Sequence, residues 1–334
     1  MKGAMIVLGK VGSRDATAFV EEGKLQDLLI DSDLPRPGTI YRAIADRPVK
    51  GQGGMFLKTP DGTCFIRKIK GLSAGKPLLV QVTGYAEPGK AIPVTDRWLY
   101  KSRYAIATPG APGVNISRSI RDDEARVELR EIASDFERRL QGCGLILRSQ
   151  AAGAEAVEVA EDIDKALVAV HAVLNDEGTG AEKLIEGPSP SELAWRDWPA
   201  ADQAADIPME ELITEAQEEG TALSGGGHVY VEATRALVAV DVNTGGDTSP
   251  AAGLKANLAM ARDLPRLLRI KGLGGQIVID AAPMTKKDRP VFESTLRAAF
   301  RKDTVETNLV GWTPLGHFEL QRKRDRVPVN EVLQ

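Results

Sequence analysis

Two apolar runs in this chain each end in an aspartate, and the two acids lie 39 positions apart. The first is Ala236-Leu-Val-Ala-Val-Asp241-Val-Asn243 and the second is Gly274-Gly-Gln-Ile-Val-Ile-Asp280. Runs of Val, Ile, Leu and Ala of this length read as buried strands. A carboxylate carried into such surroundings is costly unless something compensates it. Two of them at neighbouring strand ends would also repel each other. A hard divalent cation relieves that repulsion, and Mg²⁺ typically takes one or two carboxylates and fills its shell with water and phosphate oxygens. Either aspartate alone reads equally well as a polar strand terminus. The matched pair, with Asn243 on the same strand face as Asp241, points to a metal-dependent phosphodiester site in which Asn243 orients Asp241 or an attacking water.

Bulk composition narrows the partners. The 334 residues suffice for two or three domains. The N-terminal apolar run is too short for a secretory signal and reads as a first strand, and no stretch approaches a membrane span. Cys64 and Cys143 lie far apart without metal-ligand spacing, which predicts reduced thiols and a cytoplasmic location. His171, His228 and His317 are scattered, which argues against a zinc site or a histidine-dependent nucleophile. Net charge is only −4, but it is unevenly spread. Residues 41–130 carry 16 Lys/Arg against 8 Asp/Glu, residues 151–220 carry 3 against 18, and residues 261–334 carry 14 against 9. Two basic regions around an acidic one suit a phosphate backbone. No membrane partner is expected.

The pattern along the chain predicts a multidomain α/β protein. Residues 1–37 read as an N-terminal β subdomain. Residues 38–95 are rich in glycine and short β-patterns, with the turn Thr59-Pro-Asp-Gly62, and predict a small barrel. Seven of the sixteen aromatic residues fall in 41–104 together with the basic excess. Phe56 and Phe65 there read either as barrel core or as rings that stack on bases, and Lys90 as a phosphate contact. Residues 96–176 combine a basic loop with helices near 123–140 and 154–176, residues 177–220 form a connector, and residues 221–334 form the clearest α/β unit. In that last unit Ser249-Pro250 predicts a helix start, and Gly272-Leu-Gly-Gly275 reads as helix termination rather than a phosphate loop.

Leu237-Val-Ala-Val-Asp-Val-Asn243, Asn257-Leu, Leu268-Arg-Ile-Lys-Gly-Leu-Gly-Gly-Gln-Ile-Val-Ile-Asp280 and Met284-Thr285 resemble, in order and spacing, the catalytic core of the ribonuclease E/G family over about residues 225–325. The resemblance implies an S1-like (OB-type) barrel, with Phe56, Phe65 and Lys90 at its RNA-contacting positions, inserted in an N-terminal RNase H-like and 5′-sensor region. A DNase I-like catalytic subdomain over 221–334 follows, and 177–220 stands for an abbreviated RNase H-like part. It implies endonucleolytic cleavage of single-stranded RNA to 5′-phosphate and 3′-hydroxyl products, in RNA processing or decay, with Mg²⁺ (Mn²⁺ substituting) on Asp241 and Asp280. Asn115-Ile-Ser-Arg118 and Leu145-Ile-Leu-Arg-Ser149 are similar to the family's 5′-end sensor, so Arg148 and Ser149 are candidates for 5′-phosphate sensing. Arg118, Arg269, Lys271 and Lys287 are candidates for RNA or transition-state contacts.

The departures from the family pattern motivate a rival. The segment after Asn243 is shortened to Thr244-Gly-Gly-Asp247, Pro283 stands where the family carries a second acid, and Glu306 stands where it supplies a second sensor arginine. The rival is an RNA-binding protein of the same fold with little or no cleavage; a DNA-directed nuclease is a weaker third reading. The chain also has no cysteine after Cys143. The family's zinc link is therefore not expected, and the protein should carry no zinc and be a monomer or a dimer held without it.

Overall fold

A computed structural model describes residues 3–49, 53–69, 71–204, 207–249 and 251–333. The chain divides into two compact units, Met1–Asp33 with Ala200–Gln334, and Leu34–Pro199. The connector read over 177–220 is thus shared between them. The protein is mixed α/β.

The first unit holds two sheets on one core. Ala4–Val11, Arg14–Glu21 and Lys24–Ile30 form an antiparallel meander, with Asp202–Gln203 parallel on its edge. The second sheet has six strands in the order Gly220–Ala222, His228–Ala233, Val238–Asn243, Gly275–Asp280, Phe318–Arg322, Thr307–Trp312. Its two central strands, Val238–Asn243 and Gly275–Asp280, run parallel. Parallel neighbours need a crossover, and the helix Ala252–Ile270 supplies it. That helix turns Ala256, Met260, Leu264, Leu267 and Leu268 inward, the spacing of one helix face. The helix Arg289–Arg301 does the same with Phe292, Leu296 and Phe300. The predicted start at Ser249-Pro250 is two to three residues early, for the helix opens at Ala252 and Ser249 accepts a bond from its amide. Pro250 itself lies outside the described residues.

Both aspartate-bearing strands alternate. Val238, Val240 and Val242 are buried, as are Ile277 and Ile279, while Asp241, Asn243 and Asp280 face away. The expectation of wholly buried strands is corrected here. Period-two alternation leaves one face of this sheet polar and open.

The second unit carries a closed five-stranded barrel, consistent with the expected S1/OB-like one. Ile40–Val49, Gly54–Thr59, Gly62–Ile66, Ile92–Thr95 and Pro77–Val82 pair in that order, and the last returns to the first. Tyr41, Leu57, Cys64, Ile66 and Val80 fill its interior. A four-stranded sheet follows, Gly113–Ile116, Gly144–Leu147, Ala105–Thr108 and Tyr100–Lys101, with a separate core under the helices Asp123–Ser134 and Ala156–Leu174. No helix among the described residues is long and apolar enough to cross a membrane.

Candidate active site

The open face of the six-stranded sheet brings the two aspartates together. In the parallel register Asp241 is the partner of Asp280. Neighbouring strands lie about 4.8 Å apart, and partners in register share a face, so both carboxylates stand side by side. Tyr230 is the partner of Asp241 on the other side. Ile279 pairs with Phe318, which sets His317 opposite Asp280. The result is one row across four strands: Tyr230, Asp241, Asp280, His317. Asn243 and its partner His228 lie two residues further along the same face.

Within the row, Asn243 Nδ2 donates to Asp241 Oδ2 at 2.8 Å. His317 Nδ1 lies 3.3 Å from Asp280 Oδ1, within ion-pair reach, though without hydrogen-bond geometry. The Asp280 side chain is 68% exposed. The phenol side of the row is shaped by Gly220, where a Cβ would fall 2.7 Å from the Tyr230 ring. Behind Asp280, Asn257 clamps the chain as it leaves the strand. Its Nδ2 donates to the Ala282 carbonyl at 2.8 Å and its Oδ1 accepts from the Ala282 amide at 2.9 Å. Asn257 is fully buried on the crossover helix, so the end of the Asp280 strand is tied to the core rather than left as a loose loop. Pro283 follows with its carbonyl where a Cβ on Gly253 would be, 2.0 Å away. Only glycine allows that approach.

Among the described residues, no group of three or more His, Cys, Asp or Glu is gathered as a metal cage. The donor set is two exposed carboxylates, one with an oxygen on the Asn243 amide and one with an oxygen facing the His317 imidazole. That set fits a hard cation that keeps most of its water, as Mg²⁺ does, and not a closed structural site.

The remaining candidates of this unit divide. Lys287 is exposed on the turn that follows Pro283. Arg269 and Lys271 are not available to RNA. Arg269 donates to the Gln26 carbonyl and pairs with Asp303, whose side chain is fully buried, and Lys271 is buried with its ammonium on the carbonyls of Ala216 and Glu218. Burial pushes the Lys271 pKa down. Both fasten the crossover helix to its own unit, because their neighbours in space are backbone carbonyls and a carboxylate that would otherwise be unsatisfied.

In the second unit, Phe56 and Phe65 are strand partners on the outside of the barrel, each half-buried, with ring centroids 5.4 Å apart. Their neighbours Met55, Leu57, Cys64 and Ile66 take the interior, so the rings are not core. The Arg47 guanidinium lies 5.3 Å from the Phe56 centroid. Phe65 lies over Gly54, where a Cβ would sit 2.4 Å from its ring. Lys90 is exposed and paired with Glu87 at 2.7 Å. Arg118 is exposed just past the strand Gly113–Ile116.

The predicted 5′-phosphate pocket is filled by the chain itself. Arg148 Nη1 donates to the carbonyls of Ser102, Arg103 and Arg196, and Nη2 binds Asp197 Oδ1 at 2.7 Å. Its side chain is 14% exposed, and burial lowers its pKa while Asp197 opposes that. Asp197 also holds Lys101 and Arg196. Burial raises the Asp197 pKa, but Arg196 and Lys101 outweigh it and keep the carboxyl well below its ordinary range. Ser149 is exposed at the start of a short 3-10 turn. Glu306 belongs to the other unit. The reading of Arg148 as an open phosphate fork is therefore corrected: its donors are satisfied.

Sequence reasoning missed His317, Tyr230 and Asp197, and took Asn257 only as part of the family motif. For Tyr230, the alternation His228-Val-Tyr-Val-Glu232 was a usable signal. His317 and Asp197 become visible only through strand register and tertiary packing.

A mixed α/β chain with a closed barrel and a sheet bearing paired strand-end carboxylates is the class defined so far. The profile of the ribonuclease E/G family matches residues 100–204 and 200–325, and the chain belongs to that family. It is 26% identical to ribonuclease G of Salmonella typhimurium over 406 aligned residues, covering 99% of this chain and 82% of that protein. Ribonuclease G of Escherichia coli K12 gives the same identity and coverage. Ribonuclease E of a Nostoc species is 24% identical, covering 94% of this chain and 55% of its own.

Proposed function

We propose that this protein is a Mg²⁺-dependent endoribonuclease of single-stranded RNA in RNA processing or decay, leaving 5′-phosphate and 3′-hydroxyl ends, with Mn²⁺ able to substitute. The observation that carries the reading is the register of Asp241 with Asp280 on an open sheet face, within the segment that matches the ribonuclease E/G family. A bound divalent cation supplies charge neutralisation at a phosphate oxygen and an acidified water. The chain's own residues do the rest. Asp241 and Asp280 hold the cation, Asn243 fixes the Asp241 rotamer, and the open face admits an extended strand without unfolding any element. Tyr230 borders the carboxylates where a base or ribose adjoining the cut would lie. Phe56, Phe65, Lys90, Arg118 and Lys287 are the RNA contacts in this reading. We read the six-stranded sheet with its two helices as the DNase I-like catalytic part, the N-terminal meander as the RNase H-like part, and the location as cytoplasmic.

The rival, RNA binding without efficient cleavage, is favoured by one observation: where the family has its second acid, Pro283 is fixed against Gly253 and offers no carboxylate. End-labelled single-stranded RNA, and DNA of the same sequence, incubated with Mg²⁺ or with EDTA separate the readings. Internal cuts in RNA that require metal support the enzyme. Binding without cuts supports the rival, and equal cutting of DNA removes the RNA-specific reading.

A further inference from the structure

The two carboxylates of the row are not equally prepared. Asp241 is already held by Asn243. Asp280 is 68% exposed, and among the described residues its ion-pair neighbour is His317. Nδ1 of His317 is shielded from solvent and has no hydrogen-bond partner. Asp280 Oδ1 is 3.3 Å away. The backbone that carries the imidazole is held in place. Its residue closes the hairpin between Thr307–Trp312 and Phe318–Arg322: the His317 amide donates to Thr313 Oγ1 at 3.1 Å, and the His317 carbonyl accepts from the Thr313 amide at 2.8 Å. The Asp280 side chain is the more exposed of the two.

We propose that His317 is a positioning residue for the cation-binding carboxylate of Asp280. With a proton on Nδ1, the imidazole donates to Oδ1 and leaves Oδ2 for the cation. This repeats at Asp280 what Asn243 does at Asp241, so each carboxylate has one oxygen on a side-chain donor and one for metal. Two observations drive the pairing. A shielded ring nitrogen without a hydrogen-bond partner is unfavourable, and Asp280 Oδ1 is the acceptor within reach. A cation that orders Asp280 therefore also satisfies His317. Outer-shell partners of this kind typically change metal affinity about 10- to 100-fold.

The inference rests on the carboxylate pair being the cation site, and the experiment separates the two. Mn²⁺ is titrated into the full-length protein without RNA, and binding is read by electron paramagnetic resonance and calorimetry. His317→Ala should weaken Mn²⁺ binding roughly 10- to 100-fold, with an unchanged melting temperature and unchanged RNA affinity in EDTA. His317→Asn, which keeps a short N–H donor, should restore most of the loss. In an Asp280→Asn background, His317→Ala should have no further effect. Wild-type-like affinity of His317→Ala overturns the role of His317 while leaving the carboxylate site intact. Fully additive losses, or a loss that asparagine does not restore, also overturn it. Wild-type protein that binds no Mn²⁺ removes both the role and the site.

Discussion

The carboxylate row of the first unit and the arginine centre of the second were both expected as ligand sites, and they fold in opposite ways. Asp241 and Asp280 stand on an open sheet face with an oxygen to spare. Arg148 is enclosed by three carbonyls and Asp197. The difference lies in how each is positioned. A strand alternates, so an acid between buried valines is turned outward by its own neighbours in sequence. An arginine at a strand end has a long side chain, and what it meets depends on segments elsewhere. Here it meets the end of the helix Pro190–Asp197, 49 residues on. A cluster built on strand parity can be read locally, whereas one built on a long cation cannot.

The largest effect should come from the open row. Asp241→Asn or Asp280→Asn removes a ligand charge and almost no volume from an exposed position. RNA cleavage in Mg²⁺ should fall by roughly 10³-fold or more, about 4 kcal/mol of barrier, with unchanged circular dichroism and thermal transition. Near-wild-type cleavage by either variant would remove the metal assignment and leave the two regions functionally alike.

The closed centre should respond in stability instead. Asp197→Ala leaves Arg148, Arg196 and Lys101 without their shared carboxylate. Breaking a buried pair by removing one partner costs about 3–5 kcal/mol, so the thermal transition of the second unit should fall clearly. The pH dependence has a definite sign. The folded-state pKa of Asp197 is depressed. Its contribution is therefore fully present above the ordinary value of 3.8 and fades as pH falls below it. Wild type should lose stability in that acid range, and the difference between wild type and Asp197→Ala should shrink there. A variant as stable as wild type at pH 7 would mean that the arginine is not held as described.

Much of the fold could be read before the structure, because it depends on local periodicity. The N-terminal β region, the helix Ala156–Leu174 and the glycine-rich barrel segment follow from alternation, helical spacing and turn residues. The site was legible to the extent that it is local: Asp241, Asn243 and Asp280 needed only strand parity and one parallel pairing. His317 needed the antiparallel register of Phe318 with Ile279, which no single segment encodes. Arg269 and Lys271 looked like free cations because their partners, Asp303 and the carbonyls near Glu218, are remote in sequence.

A smaller effect should follow from the barrel rings. Phe56 and Phe65 face outward, so Phe56→Ala or Phe65→Ala should cost binding more than folding. Base stacking contributes roughly 1–3 kcal/mol per base. In an Asp280→Asn background, which prevents cutting, single-stranded RNA should bind about 5- to 150-fold more weakly, as read by fluorescence anisotropy. A variant that stays folded and binds as tightly as its parent would sink the stacking assignment.

The smallest expected effect is at the RNA 5′ end, and it tests the comparison most directly. A terminal phosphate would have to displace Asp197 from Arg148 and break three carbonyl bonds as well. Ser149, exposed beside it, supplies a single hydroxyl. Cleavage of 5′-monophosphorylated RNA should therefore exceed that of 5′-hydroxyl RNA by less than tenfold, below about 1.4 kcal/mol. Single-turnover rates on paired substrates measure the ratio. A larger ratio that rises further in a folded Asp197→Ala protein would show that the phosphate competes with Asp197 for the same guanidinium. The closed centre would then be a masked site rather than a structural one, and the contrast with the carboxylate row would be one of occupancy alone.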